Sequence, residues 1–144
     1  MKVERTVHLA AAPEDVYDVV MDPQRLEDWV TIHDHLVGPA PRPLQKGSSL
    51  TQCLRLAGRR FKVRWNVVQN DPRRKVVWEG RGPVASHARV EYAFEPDGDG
   101  TRFSYMNEYD LPGGPLGRLA GRSVSRVALR EVDGSLQKLK KLVE

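Results

Sequence analysis

Residues 115–144 read PLGRLAGRSVSRVALREVDGSLQKLKKLVE, and the fold turns on how this stretch is read. Pro115 follows Gly113-Gly114 and is the last proline of the chain, a favourable first helical position after a flexible break. Leu116, Ala120, Val124, Ala128, Val132, Leu136, Leu139 and Val143 recur at three- or four-residue steps. That spacing places them on one face of a helix. Arg118, Arg122, Arg126 and Arg130 form a second row off that face. Thirty helical residues span about 45 Å, and the apolar stripe along them needs a partner surface. The chain before it reads mostly as strands, so that partner is expected to be a sheet. Gly117 and Gly121, four apart, have two readings: close backbone packing, or room left beneath the helix for a ligand.

The strands announce themselves by alternation. Lys2 to Leu9 carries Val3, Val7 and Leu9 on one parity. Pro13 to Val20, with Glu14 and Asp15 in its first turn, reads as a short helix, and Asp22-Pro23 starts a second one carrying Leu26 and Trp29 inward. Leu36 to Leu44 holds three prolines and is expected to be an edge strand or an extended loop. Leu50 to Leu56, Arg60 to Gln69, Lys75 to Gly80, Ser86 to Glu95 and Thr101 to Asp110 complete the strands, with turns at Ala57-Gly58-Arg59, Asn70-Asp71-Pro72 and Pro96-Asp97-Gly98-Asp99-Gly100. The order predicts an α+β fold: a curved antiparallel sheet of six to seven strands, two short helices after the first strand, and a long C-terminal helix.

Composition sets outer bounds. One hundred and forty-four residues make one domain with a real core. No apolar run approaches the roughly 20 residues of a membrane span, and the N-terminus lacks an apolar signal core. Cys53 is the only cysteine, so an intrachain disulfide and a cysteine-rich zinc site are excluded. These features suggest a cytoplasmic protein. Net charge is +4, with 23 basic and 19 acidic residues interspersed. The dedicated nucleic-acid motifs and a phosphate-cradling glycine loop are missing, so no nucleic-acid partner is expected.

Three segments carry a family pattern: AAPEDVYDVVMDPQRLEDWV at 11–30, NDPRRKVVWEGRGP at 70–83 and EPDGDGTRFSYMNEYDLPGG at 95–114. In this order, over essentially the whole chain, they resemble the helix-grip (START-like, SRPBCC) superfamily and its bacterial polyketide cyclase/dehydrase-like branch. The resemblance implies a cavity between the concave sheet face and the long helix, filled in most members by a hydrophobic small molecule. It implies neither a metal nor an organic cofactor. One fold hosts many activities, so the site must be argued from its residues.

By parity, the concave face should hold Val63, Trp65, Tyr92, Phe103, Tyr105 and Asn107, with Trp78 beside them; the helices add Trp29, Leu116 and Ala120. Apolar walls with a few polar groups suit a small-molecule pocket, and equally suit a filled core. Asn107, in phase with Tyr105 and Tyr109, is a buried amide that needs partners. His33 and Tyr105 join it as candidate catalytic or orienting residues. His33-Asp34-His35 invites a metal reading, but no further histidine cluster or cysteine pair completes a ligand set. Glu79 beside Trp78 would become a general base if it faced inward. His87 and Glu91 fall on the solvated face, and Cys53 lacks a histidine-partner motif for nucleophilic catalysis.

Three functions follow. The first is a carrier for a lipid, quinone or polyketide-like compound; the second is a cofactor-independent cyclase/aromatase. The third is a protein-interaction or chaperone-like module, for which the basic helix row or a weak membrane-surface contact would matter. Monomer and homodimer both remain open.

Overall fold

The computed structural model describes residues 2–110 and 114–144, the side chains of residues 114–124 excepted. Strand β1 (Lys2–Leu9) leads into helix α1 (Pro13–Val20), a 3-10 turn (Pro23–Arg25) and a four-residue helix α2 (Leu26–Trp29). Six strands follow: β2 (His33–Val37), β3 (Ser49–Leu56), β4 (Arg59–Asp71), β5 (Lys75–Arg81), β6 (His87–Asp97) and β7 (Gly100–Asp110). Helix α3 (Gly114–Val143) closes the chain.

The seven strands form one antiparallel sheet in the order β1-β7-β6-β5-β4-β3-β2. Consecutive strands pair through hairpins, except that β1 joins the outer side of β7. Thus the first and last strands are neighbours, and α3 leaves β7 to lie back across β1 and α2. The stripe read from the sequence is the buried one: Ala128, Val132, Leu136 and Leu139 are all buried. Arg126 and Arg130 are exposed. Leu116, Gly117, Arg118, Ala120, Gly121, Arg122 and Val124 lie outside the described side chains.

Local chemistry explains the boundaries. Asp22 accepts a hydrogen bond from the Gln24 backbone N–H (3.0 Å), which starts the 3-10 turn. The β3–β4 hairpin turns on Ala57 (φ 52°) and Gly58 (φ 76°), the left-handed pair that matches strand twist. Edge strand β2 begins three residues earlier than the Leu36 to Leu44 segment, and the three prolines fall in the loop after it. Their missing N–H groups would interrupt the pairing with β3.

Two contacts fix the helices. Tyr17 donates to Asn70 Oδ1 (2.9 Å), holding α1 on the sheet. Just after α2, Thr31 gives its N–H to Ser135 Oγ (3.0 Å) and its hydroxyl to the Glu131 carbonyl (3.0 Å). The second contact clamps α3 to the α2 segment. One face of the sheet therefore carries α1, α2 and α3, and the core lies between them. Among the described residues no helix covers the other face.

Candidate functional site

The inward columns of β6 and β7 pair row by row: Ala88 with Tyr109, Val90 with Asn107, Tyr92 with Tyr105, Phe94 with Phe103. Tyr92 and Tyr105 stack at 5.3 Å with their rings 15° apart. Trp29, fully buried at the end of α2, tilts onto both (6.0 and 5.6 Å). Trp78 meets Tyr92 edge-on at 6.0 Å and Trp65 likewise at 6.0 Å. Phe103 stacks on Tyr92 at 5.9 Å. Gly80 makes room for this: a Cβ there would come within 2.5 Å of Val63 Cγ1 and 2.7 Å of Trp65 Cε3.

Trp65, Trp78, Tyr92, Tyr105 and Asn107 border a space of about 20 Å³, together with Gln52 and the apolar side of Leu26, Val30 and Ile32. A second space of about 10 Å³ lies between Tyr105, Asn107, Tyr109 and the α3 residues Glu131 and Ser135. Each has room for one water at most. Among the described residues the aromatic side chains meet one another within the expected hollow and border these two small spaces; the side chains of residues 114–124 of α3 lie outside the described set.

The polar groups divide into two sets. Trp65 donates its indole N–H to Gln52 Oε1 (2.9 Å), and the Gln52 amide nitrogen meets His33 Nδ1 at 2.8 Å. In this chain the amide donates, so His33 carries its proton on Nε2. Burial lowers the His33 pKa, with Glu27 acting against it, so the imidazole is neutral at pH 7. His33 stands behind Gln52 and does not border the cavity.

The second set has no partner. Among the described residues, Trp29 Nε1, Trp78 Nε1 and Asn107 Oδ1 are buried without a hydrogen bond. Asn107 Oδ1 finds no donor in its register partners, which are Val90 across β6 and Val3 across β1. Burial pushes the Tyr105 phenol up to about 12, and a hydrogen bond with the Asn107 side chain acts against it. Tyr92 is raised well above 10, mainly by burial and then by Tyr105 and Tyr109, and Tyr109 rises for the same first reason. All three phenols are neutral proton donors at physiological pH.

Other candidates lie elsewhere. Glu79 faces outward, paired with Arg89 at 2.7 Å, so it is no general base for the interior. His35 and Asp34 bond to each other (2.7 Å) on the outer side of the sheet, with Cys53 close by. Val63 is buried beside Gly80 without bordering the cavity. Leu116 and Ala120 lie outside the described side chains. Sequence reasoning missed Gln52 and Glu131. Gln52 could have been found, since it shares parity with Leu50, Leu54 and Leu56; Glu131 flanks the apolar stripe between Ala128 and Ser135 and gave no comparable signal.

The fold recurs in solved structures. TTHA0849 from Thermus thermophilus superposes with a TM-score of 0.83 at 19% identity, covering 99% of this chain and 97% of that one. The ZhuI aromatase/cyclase from Streptomyces sp. R1128 gives 0.77 at 18% identity, covering 99% and 93%. At these identities the likeness is one of fold. In sequence, the chain is 29% identical over 126 residues to the uncharacterized protein Rv1546 of Mycobacterium tuberculosis, covering 85% of this chain and 87% of that protein. It is 22% identical over 132 residues to the toxin Rv0910 of the same organism, covering 90% and 91%. Residues 1–144 match the model of the family described as polyketide cyclase / dehydrase and lipid transport, and the chain belongs to that family.

Proposed function

We propose that the protein binds a hydrophobic or aromatic small molecule of the lipid, quinone or polyketide-like class between the sheet and α3. The observation that carries this reading is the orphaned trio of Trp29 Nε1, Trp78 Nε1 and Asn107 Oδ1. Each buried group left without a partner costs about 1–3 kcal/mol. Two donors and one acceptor among aromatic walls suit a flat ligand bearing a carbonyl and a hydroxyl. Trp78 and Asn107 border the same space, where the Trp78 indole would donate to the carbonyl and Asn107 would accept from the hydroxyl. Among the described residues the aromatic rings touch one another, so a ligand seated between them would part them and replace their contacts with its own. Apolar burial at ~25 cal/mol per Å² then drives the affinity. Titration with a hydroxylated naphthoquinone, followed by native mass spectrometry, tests the reading. A retained one-to-one mass supports it; no retained mass at saturating probe opposes it.

A cyclase reading has one observation of its own: Tyr105, Asn107 and Glu131 border a single space. A carboxylate that removes the proton α to a carbonyl, and a phenol that donates to the carbonyl oxygen, are the pair an aldol closure needs. Incubation with a poly-β-ketone surrogate should then yield a cyclised, dehydrated product, lost in both Glu131→Gln and Tyr105→Phe.

A further inference from the structure

The outer face of β4 and β5 carries positive charge that the sheet leaves unneutralised. Arg60, Lys62 and Arg64 occupy alternate positions of β4 and are all exposed. Arg81 of β5, also exposed, is the direct cross-strand partner of Arg64. Like charges placed opposite each other destabilise a sheet. Elsewhere this face is balanced: Glu79 meets Arg89 at 2.7 Å, and Arg89 meets Glu91 at 2.9 Å. Among the described residues Lys62, Arg64 and Arg81 have no carboxylate partner, and Arg60 has only a 3.8 Å approach to Asp34. With Phe61 and Pro83 these four cations line an open groove of about 480 Å³.

The rim of that groove is apolar. The β5–β6 connection exposes Pro83, Val84 and Ala85 in succession, and Val84 is 83% exposed. Val84 (φ 55°) and Ala85 (φ 57°) are both left-handed, a conformation that β-branched residues avoid. A soluble anion or a nucleic acid would use the cations and leave this apolar tip without a role. A phospholipid surface uses both, taking cations at its headgroup phosphates and small apolar side chains at the acyl boundary.

We infer that the outer β4–β5 face, with the Pro83-Val84-Ala85 tip, docks on a membrane surface rich in anionic phospholipid. The inference is independent of the interior ligand. It does place the membrane near the end of the sheet where β7 hands over to α3, since His87 at the foot of the same connection pairs with Asp110.

Flotation of the full chain with vesicles tests it. Vesicles of phosphatidylcholine with one-third phosphatidylglycerol should bind the protein and release it at raised ionic strength; pure phosphatidylcholine should not bind it. Arg64→Gln/Arg81→Gln should lower partitioning about tenfold or more, given the usual contribution of each cation near an anionic surface. Val84→Asn should lower it several-fold with charge on the groove unchanged. Both variants alter exposed side chains, and unchanged circular dichroism and melting temperature would confirm that they fold. Four results would overturn the inference. They are no binding to anionic vesicles, equal binding to both vesicle types, binding unmoved by either variant, or release by inorganic phosphate at an ionic strength where chloride does not release it. The last would identify a discrete phosphate site instead.

Discussion

Asn107 sits in an apolar column, 3% exposed, with valines across both neighbouring strands and its amide oxygen unpaired. A side chain kept for stability alone would not be an amide there. Asn107→Leu has nearly the same shape and removes both the orphaned acceptor and the amide's hydrogen bond to Tyr105. The two losses offset each other, and stability in urea unfolding should change by no more than about 1 kcal/mol. The same change should weaken naphthoquinone binding roughly three- to tenfold. A variant that loses stability and keeps affinity would assign Asn107 to the scaffold. His33 makes a second residue-scale prediction. Burial holds its pKa below the ordinary 6.5. Between that lowered value and 6.5, the unfolded chain takes up a proton that the folded chain refuses. Stability is therefore full above pH 6.5 and falls as pH drops through this window. Protonation would also set two N–H groups against each other at the Gln52 contact. The melting temperature should decline on acidification from pH 7 to about 5.5, and His33→Gln should flatten that decline. Equal slopes in the two proteins would refute it. Asp34, whose pKa is lowered chiefly by its bond to His35, has its window below 3.8 and does not overlap.

Elements explain what could be read before the structure and what could not. The limits of β1 and α1 follow from alternation, Pro13 and the acids after it, and they match the structure residue for residue. The inward faces of β6 and β7 were legible because eleven-residue strands give period two enough repeats to be unambiguous. In β5 the run Val76-Val77-Trp78 defeated parity because all three are buried, Val77 on the side away from the helices. Glu79 then went outward with its register partners Asn66 and Arg89. β2 was misplaced because the prolines drew the reading past it. Two element-scale tests follow. Gly80→Ala forces a Cβ against Val63 and Trp65, and should cost about 1–3 kcal/mol. Val63→Ala in the same chain should return part of that cost; no rescue would mean that the clash is not the cause. Thr31→Val deletes the hydroxyl that bonds the Glu131 carbonyl and touches Ser135 Oγ at 3.1 Å. A loss of about 1–2 kcal/mol is expected. A Thr31→Val/Ser135→Ala cycle should show non-additivity, because both residues serve one contact between α3 and the α2 segment.

On the scale of the whole molecule, the sheet with helices on one face was legible and the state of its interior was not. Periodicity says which side chains face inward; whether they leave a gap depends on how rings interlock, to within a methyl group. Here, among the described residues, Trp29, Tyr92, Tyr105 and Trp78 touch within the expected hollow and leave small spaces of about 20 and 10 Å³ beside them. No helix among the described residues is long and apolar enough to cross a membrane. A ligand seated among these rings would rearrange the cluster, and the chain supplies its own reporter. Its three tryptophans are Trp29, Trp65 and Trp78, and all belong to the aromatic site. Intrinsic tryptophan fluorescence during titration with a hydroxylated naphthoquinone reads the site with no background from elsewhere. Saturable quenching at one ligand per chain, weakened in Asn107→Leu, is the predicted result. An emission spectrum that saturating ligand leaves unchanged would contradict the account.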